Sequence, residues 1–461
     1  MRRTLLVALL VAGVGIAGVL AVLALANERE FDRLMAQGDQ AVADGRPFPA
    51  IEAYSGAIAL KPDSMLAHLK RGSVYQSQGE REAALRDLRT SAEIDPSAPR
   101  PLDLLGDVNA DLGRLDRAVE AYERSIALDE RNVRALYKLG VACYRAGRAA
   151  DAVAPLAQAL RLEPDFGEAH YVMGLVLRDR QQLPAARRSF EEAMRLLPAS
   201  QAPRQALADV LAAEGSHGKA IDQLEALAAL DASRAERLVA VGLAQARAGR
   251  HDTAVLTLGR AVERFPDEPQ VFAALGHVWL AAAESRGDSV ALKKALEALA
   301  QAASRSDASG ATLSELGRAR LLSGDAPAAE RALRQAVARL PVPPDAYLQL
   351  ATITVRDGRY QDARDALRKY AVLVGDARPL AGVSTQIADY SLRLGEPAEA
   401  VRWYDRAISE AGPTPVLLAR LADAALKAGD TDRARRAVDE GLAAAPADRP
   451  LQQIRRRLPP L

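Results

Sequence analysis

Small and apolar residues recur along the chain at the spacing of helical faces. Within residues 131–164, one such face consists of Leu136, Leu139, Gly140 and Cys143, and a second of Ala152, Leu156, Ala159 and Leu160. Gly147 separates the two faces, and Pro164 follows the second. The pattern predicts two helices joined by a glycine turn, with the second helix ending before the proline.

This pattern repeats through almost the whole chain. One alanine position recurs at steps of 34 residues and later of 41, 34, 34, 37 and 34 residues: Ala50, Ala84, Ala118, Ala152, Ala186, Ala220, Ala254, Ala295, Ala329, Ala363, Ala400 and Ala434. Before this alanine there is usually a small residue at twelve positions' distance and a glycine at five, and a bulky apolar residue comes four positions after it. A fixed period of this length indicates a repeat array in which each unit buries its apolar face against its neighbours.

The 34-residue helix–turn–helix unit resembles the tetratricopeptide repeat family, through its Gly/Ala, Gly, Ala, aromatic and Pro positions. The resemblance implies an all-α superhelical solenoid of about twelve repeats. Repeats one to seven are expected over residues 29–266 and repeats eight to twelve over residues 267–446, followed by a C-terminal cap or tail at 447–461. About seven extra residues near 283–290 are expected to project as a surface loop. An aspartate that follows the proline, such as Asp63, is expected to cap the next helix.

The N-terminal segment predicts export. Leu5 to Ala26 is an uncharged, mostly apolar run of 22 residues, long enough to span a bilayer as a helix. Arg2 and Arg3 precede it, which favours a cytoplasmic N-terminus and repeats in a bacterial periplasm. Residues 1–26 are therefore expected to form a single-pass inner-membrane signal anchor. Ala24-Leu25-Ala26 also fits a signal-peptidase site, so a periplasmic or secreted protein after cleavage is the alternative.

Composition and motifs argue against several classes of function. The net charge is only +1 with 26% charged residues, so a nucleic-acid partner is not expected. None of the five histidines lies three to five residues from another, so a local zinc site is not expected. Phosphate-binding and nucleophile motifs are missing, and the repeats leave no stretch for a catalytic domain. We therefore expect no enzyme activity, catalytic residues, cofactor, metal or small-molecule substrate.

The family resemblance implies that a protein or extended peptide binds in a concave groove lined by the first helix of each repeat. In the fourth and fifth repeats, the groove stripe offset from the packed face supplies these candidates: Arg134, Tyr137, Lys138, Tyr144, Arg145, Tyr171 and Arg178. Aromatic rings can stack on a partner, and arginine can hold a carboxylate. Repeats six to eight carry mostly Ala, Val, Leu and Gln on this stripe, including Val239, Leu243 and Ala273, so a weaker surface is expected there.

Function is predicted only by class. The family's clamp for chaperone tails needs Lys and Asn where this chain has Leu69, Ser73, Asp103 and Asp107, so that clamp is absent from the sequence. The leading hypothesis is a membrane-anchored, exported scaffold for protein–protein interactions in envelope assembly or secretion. The alternative is a regulatory or substrate-presenting subunit of a glycan- or polysaccharide-processing enzyme complex.

Overall fold

A computed structural model describes the backbone of residues 2–375 and 380–459 and the side chains of residues 22–375 and 380–459. The described residues form α-helices joined by short turns and contain no strand. Contacts divide the chain into two units, Met1–Leu227 and Ala228–Leu461, and each is described by itself.

The 25 helices form paired helix–turn–helix repeats. In chain order they are α1 (Arg2–Ala43), α2 (Pro47–Leu60), α3 (Met65–Ser77), α4 (Arg81–Ile94), α5 (Pro99–Asp111), α6 (Leu115–Leu128), α7 (Val133–Arg145), α8 (Ala149–Leu162), α9 (Gly167–Asp179), α10 (Leu183–Leu196), α11 (Gln201–Ala213), α12 (His217–Leu230), α13 (Ala235–Arg247), α14 (His251–Arg264), α15 (Pro269–Arg286), α16 (Ser289–Ala303), α17 (Gly310–Leu322), α18 (Ala326–Val337), α19 (Pro344–Arg356), α20 (Tyr360–Val374), α21 (Ala381–Arg393), α22 (Pro397–Ala411), α23 (Pro415–Lys427), α24 (Thr431–Ala444) and α25 (Arg449–Arg457). The all-α fold of repeated helix pairs is confirmed.

Each pair closes around a small residue of its first helix. In α7 and α8, Leu156 is fully buried and lies over Gly140, where an added Cβ would come within 2.5 Å of the Leu156 Cγ atom. The alanine of the repeat, Ala152, is 0% exposed. The same arrangement recurs in other repeats, for example with Phe190 over Gly174. The periodic small residues are therefore the positions where a bulky side chain of the second helix meets the first helix.

The turn inside each repeat needs a left-handed backbone. Gly147 ends α7 with φ +75°, and the equivalent glycines of the other repeats also have positive φ. The fifth repeat has no glycine at this position, yet Gln181 adopts φ 60°, the only positive φ of a non-glycine residue in the described chain. Because this conformation crowds a side chain, the repeat geometry overrides the local preference of Gln181.

First helices of neighbouring repeats contact each other, as α7 does with α9, α13 with α15, and α15 with α17. They therefore line the inner face of each unit. The residue before each first helix differs from the predicted cap. Ser64, not Asp63, accepts the hydrogen bond from the Ala67 backbone N–H of α3. The aspartate prediction was wrong by one residue, because the chain turns for one more position before the helix begins.

The insertion of the eighth repeat is not a projecting loop. Instead, α15 runs for 18 residues where α13 has 13, and it ends at Gly287 with φ 65°. Ala282 and Ala283 of the added turn are buried against Ala291 of α16. The extra residues are helix-forming alanines with a partner to pack against, so the helix continues instead of opening into a loop.

At the N-terminus, α1 begins before the first repeat and supplies its first helix. Phe31, Leu34 and Met35 of α1 pack in a core with Tyr54 of α2. Within the described residues, no helix has both the length and the apolarity to cross a membrane. The predicted anchor falls largely on residues 2–21, whose side chains lie outside the description, so it stays a prediction.

The last helix covers the end of the second unit. α25 packs on α23 and α24 and buries Leu451 and Ile454. Asp448 caps it by accepting a hydrogen bond from the Leu451 backbone N–H at 3.0 Å. Arg455, Arg456 and Arg457 form its last turn, where cations interact favourably with the helix dipole.

Candidate partner-binding grooves

The inner face of the first unit carries a cavity of about 330 Å³ that contains three of the predicted residues. Tyr137, Lys138 and Arg145 line it from α7, and Asp107 and Tyr122 line it from the third repeat. The three predicted residues meet because they lie three or four, or seven, positions apart on one helix. The cavity combines one aromatic ring with charges of both signs.

Tyr137 and Lys138 are already held by neighbours. The Tyr137 ring lies 4.8 Å from the Phe166 ring, centroid to centroid, and burial followed by the charge of Glu168 raises the pKa of its phenol. The Lys138 Nζ atom donates to the Asp107 carboxylate at 2.7 Å. A partner therefore meets a neutralised lysine, and this pairing is a feature that the sequence stripe did not predict.

Asp107 belongs to a triad of side chains that joins two repeats. Besides Lys138, the Tyr122 hydroxyl donates to the Asp107 carboxylate at 2.7 Å. Burial and the nearby carboxylate raise the pKa of Tyr122, so its hydroxyl stays a donor. The aspartate and tyrosine come from the third repeat, and the lysine comes from the first helix of the fourth.

The triad occurs at two further junctions with the same spacing in the chain. Between repeats one and two, Asp39 accepts hydrogen bonds from Tyr54 at 2.8 Å and from Lys70 at 2.6 Å. Between repeats eleven and twelve, the corresponding residues are Asp389, Tyr404 and Arg420, with distances of 2.5 and 2.8 Å. Each tyrosine is at the bulky position of its repeat and lies over the small residue of the first helix.

The remaining predicted residues lie outside this cavity. The Tyr144 hydroxyl and the Arg178 guanidinium both donate to Asp179, at 2.8 and 2.9 Å, which ties α7 to α9. Tyr171 packs with its ring 6.0 Å from the Phe190 ring, and Arg134 is exposed. The structure thus groups Tyr137, Lys138 and Arg145 at one place and holds Tyr144 and Arg178 at another, and a binding role for any of them stays a prediction.

A larger groove lies on the inner face of the second unit, in repeats seven to nine. Its cavity of about 690 Å³ is lined by the first helices α13, α15 and α17, with Val239, Leu243 and Ala273 among the lining residues. These are the positions from which the sequence predicted the weaker surface, and that expectation was wrong about the space available. Small side chains on neighbouring helices leave room for a partner, whereas tyrosines and arginines fill it.

The groove of repeats seven to nine has a polar pair inside it. The His277 Nδ1 atom lies 2.6 Å from a carboxylate oxygen of Glu315, which joins α15 to α17. This hydrogen bond raises the pKa of His277 despite partial burial and the positive charges of Arg247 and Arg318. Arg318 in turn forms an ion pair with Glu284, on the added turn of α15. The inserted residues therefore help to fix the wall of the groove.

Comparison with known families decides the class. A tetratricopeptide repeat model matches residues 35–99, 146–201, 205–269 and 314–381, which is more than half of the chain. Further repeat models of the same family match residues 106–147 and 391–458. The chain belongs to the tetratricopeptide repeat family. This tetratricopeptide repeat protein is thus a scaffold for protein–protein interaction, of a kind that binds proteins or peptides and is typically non-catalytic.

Individual relatives resemble only part of this tetratricopeptide repeat protein. The small glutamine-rich tetratricopeptide repeat-containing protein 2 of Mycosarcoma maydis is 32% identical over 101 residues, which are 22% of this chain and 29% of that protein. The Hsp70-Hsp90 organizing protein of Triticum aestivum is also 32% identical over 101 residues, which are 22% of this chain and 17% of that protein. The chain therefore spans less than a third of the length of these relatives.

Solved structures show the same kind of partial likeness. The structure from the functional characterization of Pseudomonas aeruginosa pilF is 25% identical, with a TM-score of 0.37, and covers 45% of this chain and 94% of that chain.

Proposed function

We propose that this protein is a membrane-anchored scaffold that holds an extended segment of a partner protein along the inner face of its repeats. The observation that carries the proposal is the cavity of about 690 Å³ on α13, α15 and α17. Its volume is within the roughly 300–1,000 Å³ of typical ligand sites, and it lies on the face where first helices meet. Its small apolar walls suit side chains that the partner contributes.

The cavity of the fourth repeat supplies a second contact in the same proposal. Tyr137 offers a ring whose position is fixed by Phe166, and Arg145 is exposed beside it. Rigid aromatic side chains and arginine are the residue types that concentrate binding energy in protein interfaces. A long partner segment that reaches both units would bind more tightly than one held at a single groove.

The anchor is part of the proposal because of how α1 is built. The helix continues from residue 2 into the first repeat, and Val22, Leu23 and Leu25 are 66%, 54% and 60% exposed. Exposed apolar side chains on a helix that leaves a packed repeat suit a lipid environment. Ala24-Leu25-Ala26 lies inside this helix, and a protease needs an opened chain, so a retained anchor is favoured over cleavage.

An exported scaffold of this kind would serve envelope assembly or secretion in a bacterium. Fusion reporters test the topology. A periplasm-dependent reporter at the C-terminus should be active on the full-length chain and inactive when residues 1–26 are removed. The protein should also stay with membranes through an alkaline wash. Release by the wash would contradict the anchor, and activity of a cytoplasm-only reporter on the full-length chain would contradict export.

The groove itself is tested by filling it. Ala273 and Ala311 line the cavity of repeats seven to nine, whereas Ala300 is exposed on the second helix α16. Partners are captured from native membranes with the full-length protein and identified by mass spectrometry. A partner held by this groove should be lost with Ala273→Trp and Ala311→Trp and retained with Ala300→Trp. Equal recovery with all three variants would place the contact elsewhere.

A further inference from the structure

The groove of repeats seven to nine has a floor that asks for apolar side chains from its occupant. Val239 and Leu243 of α13 face alanines of α15, among them Ala273 and Ala274, across the cavity. These side chains are too short to fill the space between the helices. An occupant gains most by placing small or medium apolar side chains there, since burial of apolar area supplies the binding free energy.

The charges around this floor are unequal. Glu268 and Glu315 line the groove, and the described residues hold no salt bridge to Glu268. The third lining carboxylate, Asp307, lies 3.3 Å from Arg305 and is neutralised. On the positive side, Arg247 is the one arginine among the lining residues. Carboxylates therefore outnumber permanent cations, and the groove attracts a positively charged segment.

The His277–Glu315 pair marks where a cation enters. The Glu315 side chain is 30% exposed and that of His277 is 53% exposed, so both can be reached from the groove. A neutral imidazole donates one hydrogen bond and leaves the charge of the carboxylate in place. An ammonium or guanidinium group provides a charge-assisted hydrogen bond, which is roughly twice as strong as a neutral one.

We propose that the groove of repeats seven to nine selects a basic, extended segment of the partner, in which small apolar residues alternate with lysine or arginine, and that one of these cations binds Glu315 beside His277. The inference rests on the proposed function of this groove and specifies the chemistry of its partner. Glu268, at the start of α15, provides the second contact for a cation of the same segment.

Three probe peptides of equal length test the selection, with alanine and valine alternating with lysine, with glutamine or with glutamate. Each carries a fluorophore and is titrated against the full-length protein in detergent, with anisotropy as the readout. The lysine peptide should bind most tightly. Glu315→Gln should weaken it roughly tenfold, equivalent to about 1.4 kcal/mol, without changing the glutamine peptide. Glu263→Gln, an exposed position on α14, is the matched control and should change nothing.

The pH provides an independent arm. Protonation of His277 places a positive charge next to Glu315 and competes with the peptide, so lysine-peptide affinity should fall as the pH drops through the raised pKa of His277. The other charged groups facing His277 are Arg247 of α13 and Arg318 of α17, and neither titrates in this range. Variant His277→Gln should remove the pH dependence.

The outcomes separate the two proposals. Equal affinities for the three peptides, or a preference for the glutamate peptide, would overturn the basic selection, and loss of that binding with Ala273→Trp would leave the groove function standing. Binding of none of the three peptides would also overturn the selection. Partner capture that survives both groove-filling variants would overturn the groove function itself.

Discussion

The repeat geometry can be tested with one added methyl group. Replacing Gly140 by alanine puts a Cβ atom 2.5 Å from Cγ and 2.7 Å from Cδ2 of Leu156. Leu156 is 0% exposed and is enclosed by the packed core of the fourth repeat, so it cannot move into solvent. The two helices must separate slightly, or the leucine must leave its rotamer.

Two opposing terms set the magnitude. Overpacking of a close-packed core costs about 1–3 kcal/mol. Alanine is the better helix former and returns about 0.5–1 kcal/mol relative to glycine. The net loss for Gly140→Ala is therefore about 0.5–2 kcal/mol, which corresponds to a local opening equilibrium up to roughly 30-fold more favourable.

Hydrogen exchange measured by mass spectrometry suits this prediction, because a long repeat array does not unfold as a single cooperative unit. Peptides from α7 and α8 should lose protection in the Gly140→Ala variant, with a smaller loss in α6 and α9. Gly259 of α14 is the matched control, since an added Cβ there meets nothing within 4 Å. Gly259→Ala should keep or raise protection of its helix.

The reasoning is refuted if Gly140→Ala protects α7 and α8 as well as the original residue does. A double variant, Gly140→Ala with Leu156→Ala, provides a second check. Removing the leucine side chain eliminates the clash, so the two changes should destabilise by less than the sum of their separate effects. Simple additivity would mean that the two residues do not meet.

Two other predictions concern the backbone and an ion pair. Gln181→Gly should stabilise α9 and α10 by roughly 0.5–1 kcal/mol, because glycine adopts positive φ without strain, and reduced hydrogen-exchange protection would contradict it. Hydrogen bonds from Arg359, and then from Arg334, lower the pKa of Glu330 from 4.5 to about 2, so its carboxylate stabilises the fold above pH 4.5 and this contribution is lost as the pH falls through that interval. The thermal midpoint of Glu330→Gln should lie below that of the unmodified protein at neutral pH and converge with it near pH 2, and a constant difference would refute the assignment.

The helix pairs were predictable because each rests on local steric demands. A residue that a bulky side chain overlies must be small, and a turn with positive φ favours glycine, so both demands recur in the sequence at fixed offsets. Gln181 shows how strong the pattern is, since its turn forms without the glycine. The insertion was misread because length alone does not distinguish a loop from an added helical turn, and burial of Ala282 and Ala283 decided it.

The binding surface was harder to predict, because its character depends on pairs of residues from different repeats. Lys138 looks like a free cation in the sequence, and only its contact with Asp107 shows that it is neutralised. The triads did leave a signal, since tyrosine occurs at the bulky position only where an aspartate and a cation occupy the matching positions around it. The groove of repeats seven to nine was underestimated because small residues appear featureless in a sequence, although they create the space.

The triads make the order of the repeats matter. Asp39 and Tyr54 belong to the first repeat and depend on Lys70 of the second, whereas the third repeat has buried Leu104 at that position. Loss of the second repeat alone would leave the aspartate facing a leucine. Loss of the second and third together would bring Lys138 to the same place. Genetic gain or loss of repeats at this end of the protein is therefore tolerated in pairs, although the visible period of the sequence is a single repeat.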